Sequence, residues 1–278
     1  MSNLLIIGYS YSAAALVPQL LAQGWQISGT TRSPEKFESI KAQGVTPLLW
    51  SDDLTEALST ATHLLISAAP DANGDPLLAK TGSNIAQLVP NLTWAGYLST
   101  TGVYGDCEGR WIDETAPLTP STKRGEMRVQ AEDAWRATGL PLHVFRLAGI
   151  YGPGRGPFAK VKSGKARRII KQDQVFSRIH VDDIAQVLAA SIAQPNPGSA
   201  YNLCDDDPAP PQDVIAFAAE LLGLPLPPEE PFETAEMTPM ARSFYAENKR
   251  VKNDKIKSEL GVKLLYPDYR SGLNALLK

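Results

Sequence analysis

The sequence predicts an α/β fold, a doubly wound parallel sheet carrying a small C-terminal lobe, and three observations predict it. Apolar runs at 4–7, 25–30, 46–50, 64–67 and 94–98 alternate with amphipathic segments, the pattern of strands joined by crossover helices. The first run leads into a turn of small and aromatic residues, Gly8-Tyr9-Ser10-Tyr11-Ser12-Ala13, then a helical segment and a second run, which spells a βαβ unit. Beyond Tyr201 the composition shifts to proline-rich connectors at 205–211 and 224–231 around a single helical segment.

A chain of 278 residues, 43% of them hydrophobic, is long enough for one large α/β domain with a smaller companion. Its formal charge of -3 argues against a general binder of nucleic acid or of anionic membranes, both of which need a basic surface. Cys107 and Cys204 stand far apart, without metal-ligand spacing, so neither a disulfide framework nor a metal site is expected. The N-terminus has no basic segment ahead of an apolar core, and no run approaches the length of a membrane span; a cytoplasmic protein acting on a small molecule is expected.

Strand one is 4–7. The helix at 12–23 turns Ala13, Leu16, Leu20 and Leu21 toward one face, and Gly24 closes it. Between them, Gly8, Ser10 and Ala13 occupy the three small-residue places of the G-x-G-x-x-G/A dinucleotide fingerprint, with Ser12 beside them. Ser10 stands where a glycine lets backbone approach the pyrophosphate, and Tyr9 and Tyr11 add bulk; a serine hydroxyl toward the phosphate is the expected exchange. Strand two, 25–30, runs into Thr30-Thr31-Arg32-Ser33 with no acid for ribose hydroxyls. Thr31, Arg32 and Ser33 suit a 2′-phosphate instead, so NADP is expected, with NAD as second choice.

Strand three is 46–50, and Asp52 and Asp53 are expected to cap a helix ending at 61, adenine contact being the alternative. Strand four, 64–67, ends in Ser67-Ala68-Ala69, a run without bulk where a cofactor needs room. Asp75 and Pro76 start a long helix to about 89, and strand five is 94–98. An acidic pair, Asp182 and Asp183, opens a helix at 184–193, one of them serving as its cap. A further helix is expected at 213–222.

After strand five comes Ser99-Thr100-Thr101-Gly102-Val103-Tyr104-Gly105-Asp106, and here the chain resembles the extended, epimerase-like branch of the short-chain dehydrogenase/reductase family, with its S-S-x-x-V-Y-G segment. Phe145-Arg-Leu-Ala-Gly-Ile-Tyr-Gly-Pro-Gly-Arg155 is similar to the branch's R-x-x-x-x-Y-G-P-G, and Phe176-Ser-Arg-Ile-His-Val-Asp-Asp-Ile184 to its F-I-H-V-D-D-V. Ala200-Tyr-Asn-Leu203 is similar to its Y-N-x strand, and Lys249-Arg-Val-Lys-Asn253 with Glu259-Leu-Gly261 to its C-terminal helix and L-G motif. The five matches run in order along essentially the whole chain.

The resemblance implies a Rossmann-type sheet and a nicotinamide cofactor. It implies a dinucleotide-binding domain at 1–157 to which 176–204 returns, and a substrate-side lobe at 158–175 and 205–278. Relatives pair through helices after strands four and five, here near 75–89 and 124–138, so a homodimer is implied. In catalytic members a Ser or Thr polarises the substrate, a Tyr moves the proton, and a Lys one helical turn later holds the nicotinamide ribose. The first position falls on Thr100. Pro120, Gly125 and Glu132 anchor the helix alignment and put Arg124 in the Tyr position and Arg128 in the Lys position. Arg128 keeps charge and donors, whereas a guanidinium is no proton shuttle near neutrality. Three readings stay open: an atypical oxidoreductase or epimerase in which Arg124 polarises a carbonyl or anchors an acidic substrate, a dinucleotide-binding sensor or scaffold without turnover, or a helix on which both arginines are merely solvated.

Arg155 and Arg178 fall among the branch's substrate contacts, with structural ion pairs as the alternative. Tyr104 is a neighbouring acid or packing residue, and His180 a substrate-side base or a packed ring. The basic run Lys160, Lys162, Lys165, Arg167, Arg168, Lys171 reads as a solvated face over the cleft or a phosphate site.

Overall fold

Strands buried on both faces favour apolar side chains throughout, a demand that Leu4–Ile7 and Leu64–Ile66 meet and that Gln26–Thr31, nearer the sheet edge, does not, in the computed structural model, which describes residues 2–277. The first half runs β1 (Asn3–Ile7), α1 (Tyr11–Ala22), β2 (Gln26–Thr31), α2 (Phe37–Lys41), β3 (Thr46–Leu49), α3 (Thr55–Thr60), β4 (His63–Ile66), α4 (Pro76–Thr81), α5 (Ile85–Leu88) and β5 (Trp94–Thr100). It continues through β6 (Trp111–Ile112), α6 (Lys123–Arg136), β7 (Leu142–Leu147), β8 (Gly149–Tyr151), α7 (Phe158–Lys162), β9 (Arg168–Ile170) and β10 (Arg178–His180). The remainder is α8 (Val181–Ala193), β11 (Ala200–Leu203), α9 (Pro211–Leu221), β12 (Glu229–Pro231), α10 (Pro239–Phe244), β13 (Arg250–Val251), α11 (Asp254–Leu260) and α12 (Tyr269–Ala275).

Seven strands form one sheet in the order β11-β7-β5-β4-β1-β2-β3 with every pairing parallel. The fold is therefore a Rossmann-type α/β sheet, and strand order reverses between β1 and β4, where such sheets bind ligands. Strand periodicity divides the core in two. Leu4 and Ile6 pack with Leu16, Val17 and Leu20 of α1 and Ile184, Val187 and Leu188 of α8. Leu5 and Ile7 face the other way, onto Leu58, Leu77, Ile85 and Trp135 of the helices opposite. A third cluster joins Val161 of α7, Val214 and Ala218 of α9, and Tyr269 and Leu273 of α12 to Tyr151. Among the described residues no helix is long and apolar enough to cross a membrane.

Several local expectations need correction. Asp53 does not cap α3: its carboxylate accepts from the Thr55 amide (2.9 Å) and hydroxyl (2.6 Å) just ahead of the helix, and the N-cap is Leu54 without a side-chain bond. The long helix expected at 75–89 begins as foreseen, with Asp75 accepting from the Leu77 and Leu78 amides and Pro76 first in the helix. It stops at Gly82, whose φ of +60° leaves the helical region, and resumes at Ile85. Helix α8 starts at Val181, three residues earlier than expected, and its cap is the His180 ring, not an aspartate. Asp183 is engaged elsewhere, accepting from the Leu265 (2.7 Å) and Tyr266 (3.1 Å) amides; burial pushes its pKa up to about 6. Residues 250–251 form a strand paired with β6, so only α11 of the expected C-terminal stretch is helical, with Gly261 left-handed after its last turn.

Candidate active site

A cleft of about 1090 Å³ opens at the carboxyl edge of the sheet, over the point where strand order reverses. Ser10, Tyr11 and Ser12 come from the first turn, Ser67 from the end of β4, and Thr100 from the end of β5. Arg124 and Arg128 come from α6, and Phe176, Arg178, Val214, Tyr245 and Tyr269 form the far wall.

The first turn is built for close approach. Gly8 has φ +80°, and a Cβ there would sit 2.9 Å from the Ala68 nitrogen, so the β1 and β4 ends meet with no room for a side chain. The Gly8 amide donates to Thr30 Oγ1 (2.7 Å) and the Tyr9 amide to the Thr30 carbonyl (2.8 Å), tying the turn to β2. Ser10 caps α1 by accepting from the Ala13 amide (3.3 Å), and its hydroxyl lies 2.5 Å from that of Ser67. The amides of Ser10, Tyr11 and Ser12 have no partner among the described residues, at the positive end of a twelve-residue helix. The two tyrosines that looked like obstacles run sideways. Tyr9 lies against Gly29 and donates to Gln43 Oε1 (2.8 Å), while Tyr11 donates to the Pro153 carbonyl (3.1 Å). Unpartnered amides over a glycine that a Cβ would jam are a donor set that fits a dinucleotide pyrophosphate. Thr31 ends the neighbouring strand and Arg32 and Ser33 follow it, the Arg32 side chain being exposed and making no hydrogen bond or ion pair among the described residues. Ala69 is exposed beyond β4.

Thr100, Arg124 and Arg128 share the opposite wall. The Thr100 hydroxyl accepts from the Gly102 amide (3.1 Å), which leaves its proton for a substrate oxygen. Gly125 explains why α6 comes so near: a Cβ there would stand 2.8 Å from the Gly102 carbonyl and 2.7 Å from Pro120 Cβ. Arg124 and Arg128, one turn apart, therefore border the Thr100 turn. Arg128 Nη1 donates to the Leu98 carbonyl, with the Tyr97 hydroxyl at 3.5 Å. Arg124 is exposed, its guanidinium carbon 5.3 Å from the centre of the Phe244 ring.

The four substrate-side residues separate. Arg155 and Arg178 line the cleft; Tyr104 and His180 do not. Tyr104 is wholly buried, donates to Asn202 Oδ1 (2.7 Å), and desolvation pushes its pKa up to about 12. His180 is wedged between the Tyr151 and Tyr266 rings, and burial lowers its pKa. Arg178 donates to the Phe176 (2.8 Å) and Ala209 (3.0 Å) carbonyls. Behind it lies Asp205, whose two carboxylate oxygens have no partner and whose pKa burial raises well above the ordinary range.

Charge in the cleft is one-sided. Among the described residues, Arg124, Arg128, Arg155, Arg167, Arg178, Lys160, Lys165 and Lys249 line it against one carboxylate, Glu247. Glu247 is already engaged by Lys249 Nζ (2.5 Å) and the Ser121 hydroxyl (2.6 Å). Of the basic run, Arg167 and Arg168 pair with Glu230 and Glu229, and Lys171 donates to the Tyr245 carbonyl. Glu247, Lys249, Phe244 and Tyr245 escaped the sequence reading; the aromatic pair Phe244-Tyr245 just ahead of the Lys249 motif was the one signal available.

A buried polar chain runs beneath Thr100. Glu132 accepts from the Ser99 hydroxyl (2.5 Å) and from Arg146 Nη2 (2.8 Å), Arg146 Nη1 donates to the Tyr104 hydroxyl (2.9 Å), and the Asn202 amide donates to Glu114 Oε1 (2.7 Å). Ser99, Glu132 and Arg146 are all under 5% exposed.

No protein-family model matches the chain. A solved structure of a conserved protein of unknown function from Silicibacter pomeroyi DSS is 61% identical, with 100% of this chain and 98% of that one covered and a TM-score of 0.95. Protein YeeZ of Escherichia coli (strain K12) is 28% identical over 96% of this chain and 97% of its own. The dTDP-glucose 4,6-dehydratase of Escherichia coli is 26% identical over 60% of this chain and 52% of its own. A crystal structure of the dTDP-glucose 4,6-dehydratase of Bacillus anthracis in complex with NAD shares the fold, at TM-score 0.80 and 18% identity, covering 100% of this chain and 96% of that one.

Proposed function

We propose, for a chain that belongs to the extended short-chain dehydrogenase/reductase family, an NADP(H)-dependent oxidoreductase or epimerase-like activity on a small anionic substrate, with Arg124 standing where the family's proton-transferring Tyr is expected. One observation carries the reading: Thr100, Arg124 and Arg128 border the same cleft as Ser10 and Ser12 of the dinucleotide turn and Ser67 after β4. When bound, the nicotinamide ring would supply the hydride acceptor or donor. Thr100 would donate to a substrate oxygen, and Arg124 would hold a neighbouring carboxylate or carbonyl by its fork of N–H groups. Arg128 has donors left for a ribose. The eight cations against one carboxylate favour an anionic substrate. Arg32, just past β2 and with no side-chain partner among the described residues, favours NADP, with NAD as second choice.

The tyrosines nearby favour a second reading, a dinucleotide-binding sensor or scaffold. Tyr104 is buried, and Tyr151 donates to the Asp268 carbonyl (3.3 Å) with its pKa raised by desolvation, so neither hydroxyl is poised as an acid. Titration with NADPH and NADH tests the shared premise: tighter NADPH binding is expected in the wild type and equal affinities in Arg32→Ala, and failure with both ligands refutes it. Screening carbonyl and sugar-nucleotide compounds for NADPH oxidation separates the readings. Turnover that falls in Thr100→Ala and survives in Thr100→Ser is expected of the enzyme; turnover indifferent to Thr100→Ala removes this residue from the mechanism.

A further inference from the structure

The first turn and the segment 152–157 meet across the mouth of the cleft, and Tyr11 is the link. Its hydroxyl donates to the Pro153 carbonyl (3.1 Å), and a Cβ on Gly152 would lie 2.5 Å from that hydroxyl oxygen. Gly152 and Arg155 close the segment through reciprocal backbone hydrogen bonds of 2.8 and 2.9 Å. This geometry hangs the Arg155 guanidinium carbon 5.7 Å from the centre of the Tyr11 ring, above the first residue of α1. The Arg155 side chain is exposed and makes no ion pair or hydrogen bond among the described residues, which leaves its guanidinium donors free. The partnerless amides of Ser10, Tyr11 and Ser12 lie at the same helix start.

We propose that Arg155 binds the pyrophosphate of the dinucleotide, so that the phosphates are held from two sides: by the amides at the start of α1 and by a guanidinium from the 152–157 segment. The inference rests on the dinucleotide reading of the cleft and moves Arg155 from the substrate to the cofactor. It also accounts for Ser10. A side chain in the place of the second glycine limits how near backbone can come, and a cation from the facing segment restores attraction without needing that approach. A planar fork suits two phosphate oxygens, which a lysine ammonium does not match.

The test uses the whole chain and two probes, NADPH and 2′-phospho-ADP-ribose, which share the pyrophosphate and the 2′-phosphate but differ in the nicotinamide. Arg155→Ala is expected to weaken both by a similar factor, about tenfold or more for a charge-assisted contact at a solvent-facing site. Arg155→Lys should recover part of the loss. Arg155 lies outside the core, so circular dichroism and the unfolding midpoint should match the wild type. Affinities within twofold of wild type overturn the proposal. So does a loss confined to NADPH, which would put the guanidinium at the nicotinamide or substrate end. A wild-type chain that binds neither probe refutes the dinucleotide reading itself, and this inference with it.

Discussion

Removing the Glu132 carboxylate should be among the most damaging single changes in this chain. Glu132 is 0% and Arg146 4% exposed, and the carboxylate holds both the guanidinium (2.8 Å) and the Ser99 hydroxyl (2.5 Å). In Glu132→Ala the guanidinium keeps only Tyr104 and a long contact to the Glu114 carbonyl, and is left as a buried charge without a counter-ion. Breaking such a pair costs about 3–5 kcal/mol. At roughly 2–4 °C per kcal/mol for a chain of this size, the unfolding midpoint should fall by about 6–20 °C. Thermal unfolding followed by circular dichroism measures it. The double variant Glu132→Leu with Arg146→Leu removes both charges and should be milder than Glu132→Ala alone. A single variant within about 1 kcal/mol of wild type, or a double variant as damaged as the sum of its parts, would refute the reasoning.

Two further outcomes follow from particular geometries. Gly8→Ala forces a Cβ to 2.9 Å from the Ala68 nitrogen at φ +80°, so NADPH affinity should fall at least about tenfold, as fluorescence titration would reveal; unchanged affinity would contradict the tight turn. His63, packed on Trp25 at 4.5 Å, has its pKa lowered by burial to about 4 from an unfolded value near 6.5. The unfolded chain then binds the extra proton between those values, so this residue's contribution to stability is whole above pH 6.5 and is lost as pH falls toward 4. Discounted for a half-buried ring, the effect is on the order of 1 kcal/mol. His63→Phe keeps the ring without titrating, and its urea midpoints at pH 7.5 and 5 should differ less than those of the wild type; equal differences would discard His63 as the cause.

The sheet was legible because its central strands are buried on both faces, which writes them into the sequence as unbroken apolar runs such as 4–7 and 64–66. Strand ends slipped by a residue or two, since polar residues such as Ser99 and Thr100 extend β5 past its apolar run. Composition could not reveal the break at Gly82, because glycine inside an otherwise helical run is tolerated until a positive φ is adopted. On the cleft wall, Thr100, Arg124 and Arg128 were singled out by the family resemblance, which Pro120, Gly125 and Glu132 aligned, and all three line the cleft. Glu247 and Lys249 were not, because tertiary packing brings their irregular segment against Ser121 and Gly105, ahead of α6, and no periodicity marks it. Nor does a sequence say which way a side chain leaves a turn, so Tyr11 looked like an obstruction before its bond to Pro153 was known.

The mismatch between a chain of formal charge -3 and a cleft with eight cations and one carboxylate bears on how quickly a ligand arrives, apart from how tightly it stays. An anion meets net repulsion far from the molecule and attraction near the opening, where low-dielectric walls concentrate the field. The crossover is set by the screening length, about 8 Å at physiological ionic strength. Lys160, Lys165 and Arg155, exposed around the rim, would dominate capture, while Arg178, tied to two backbone carbonyls within, would govern residence. Added salt should therefore slow association well before it hastens release.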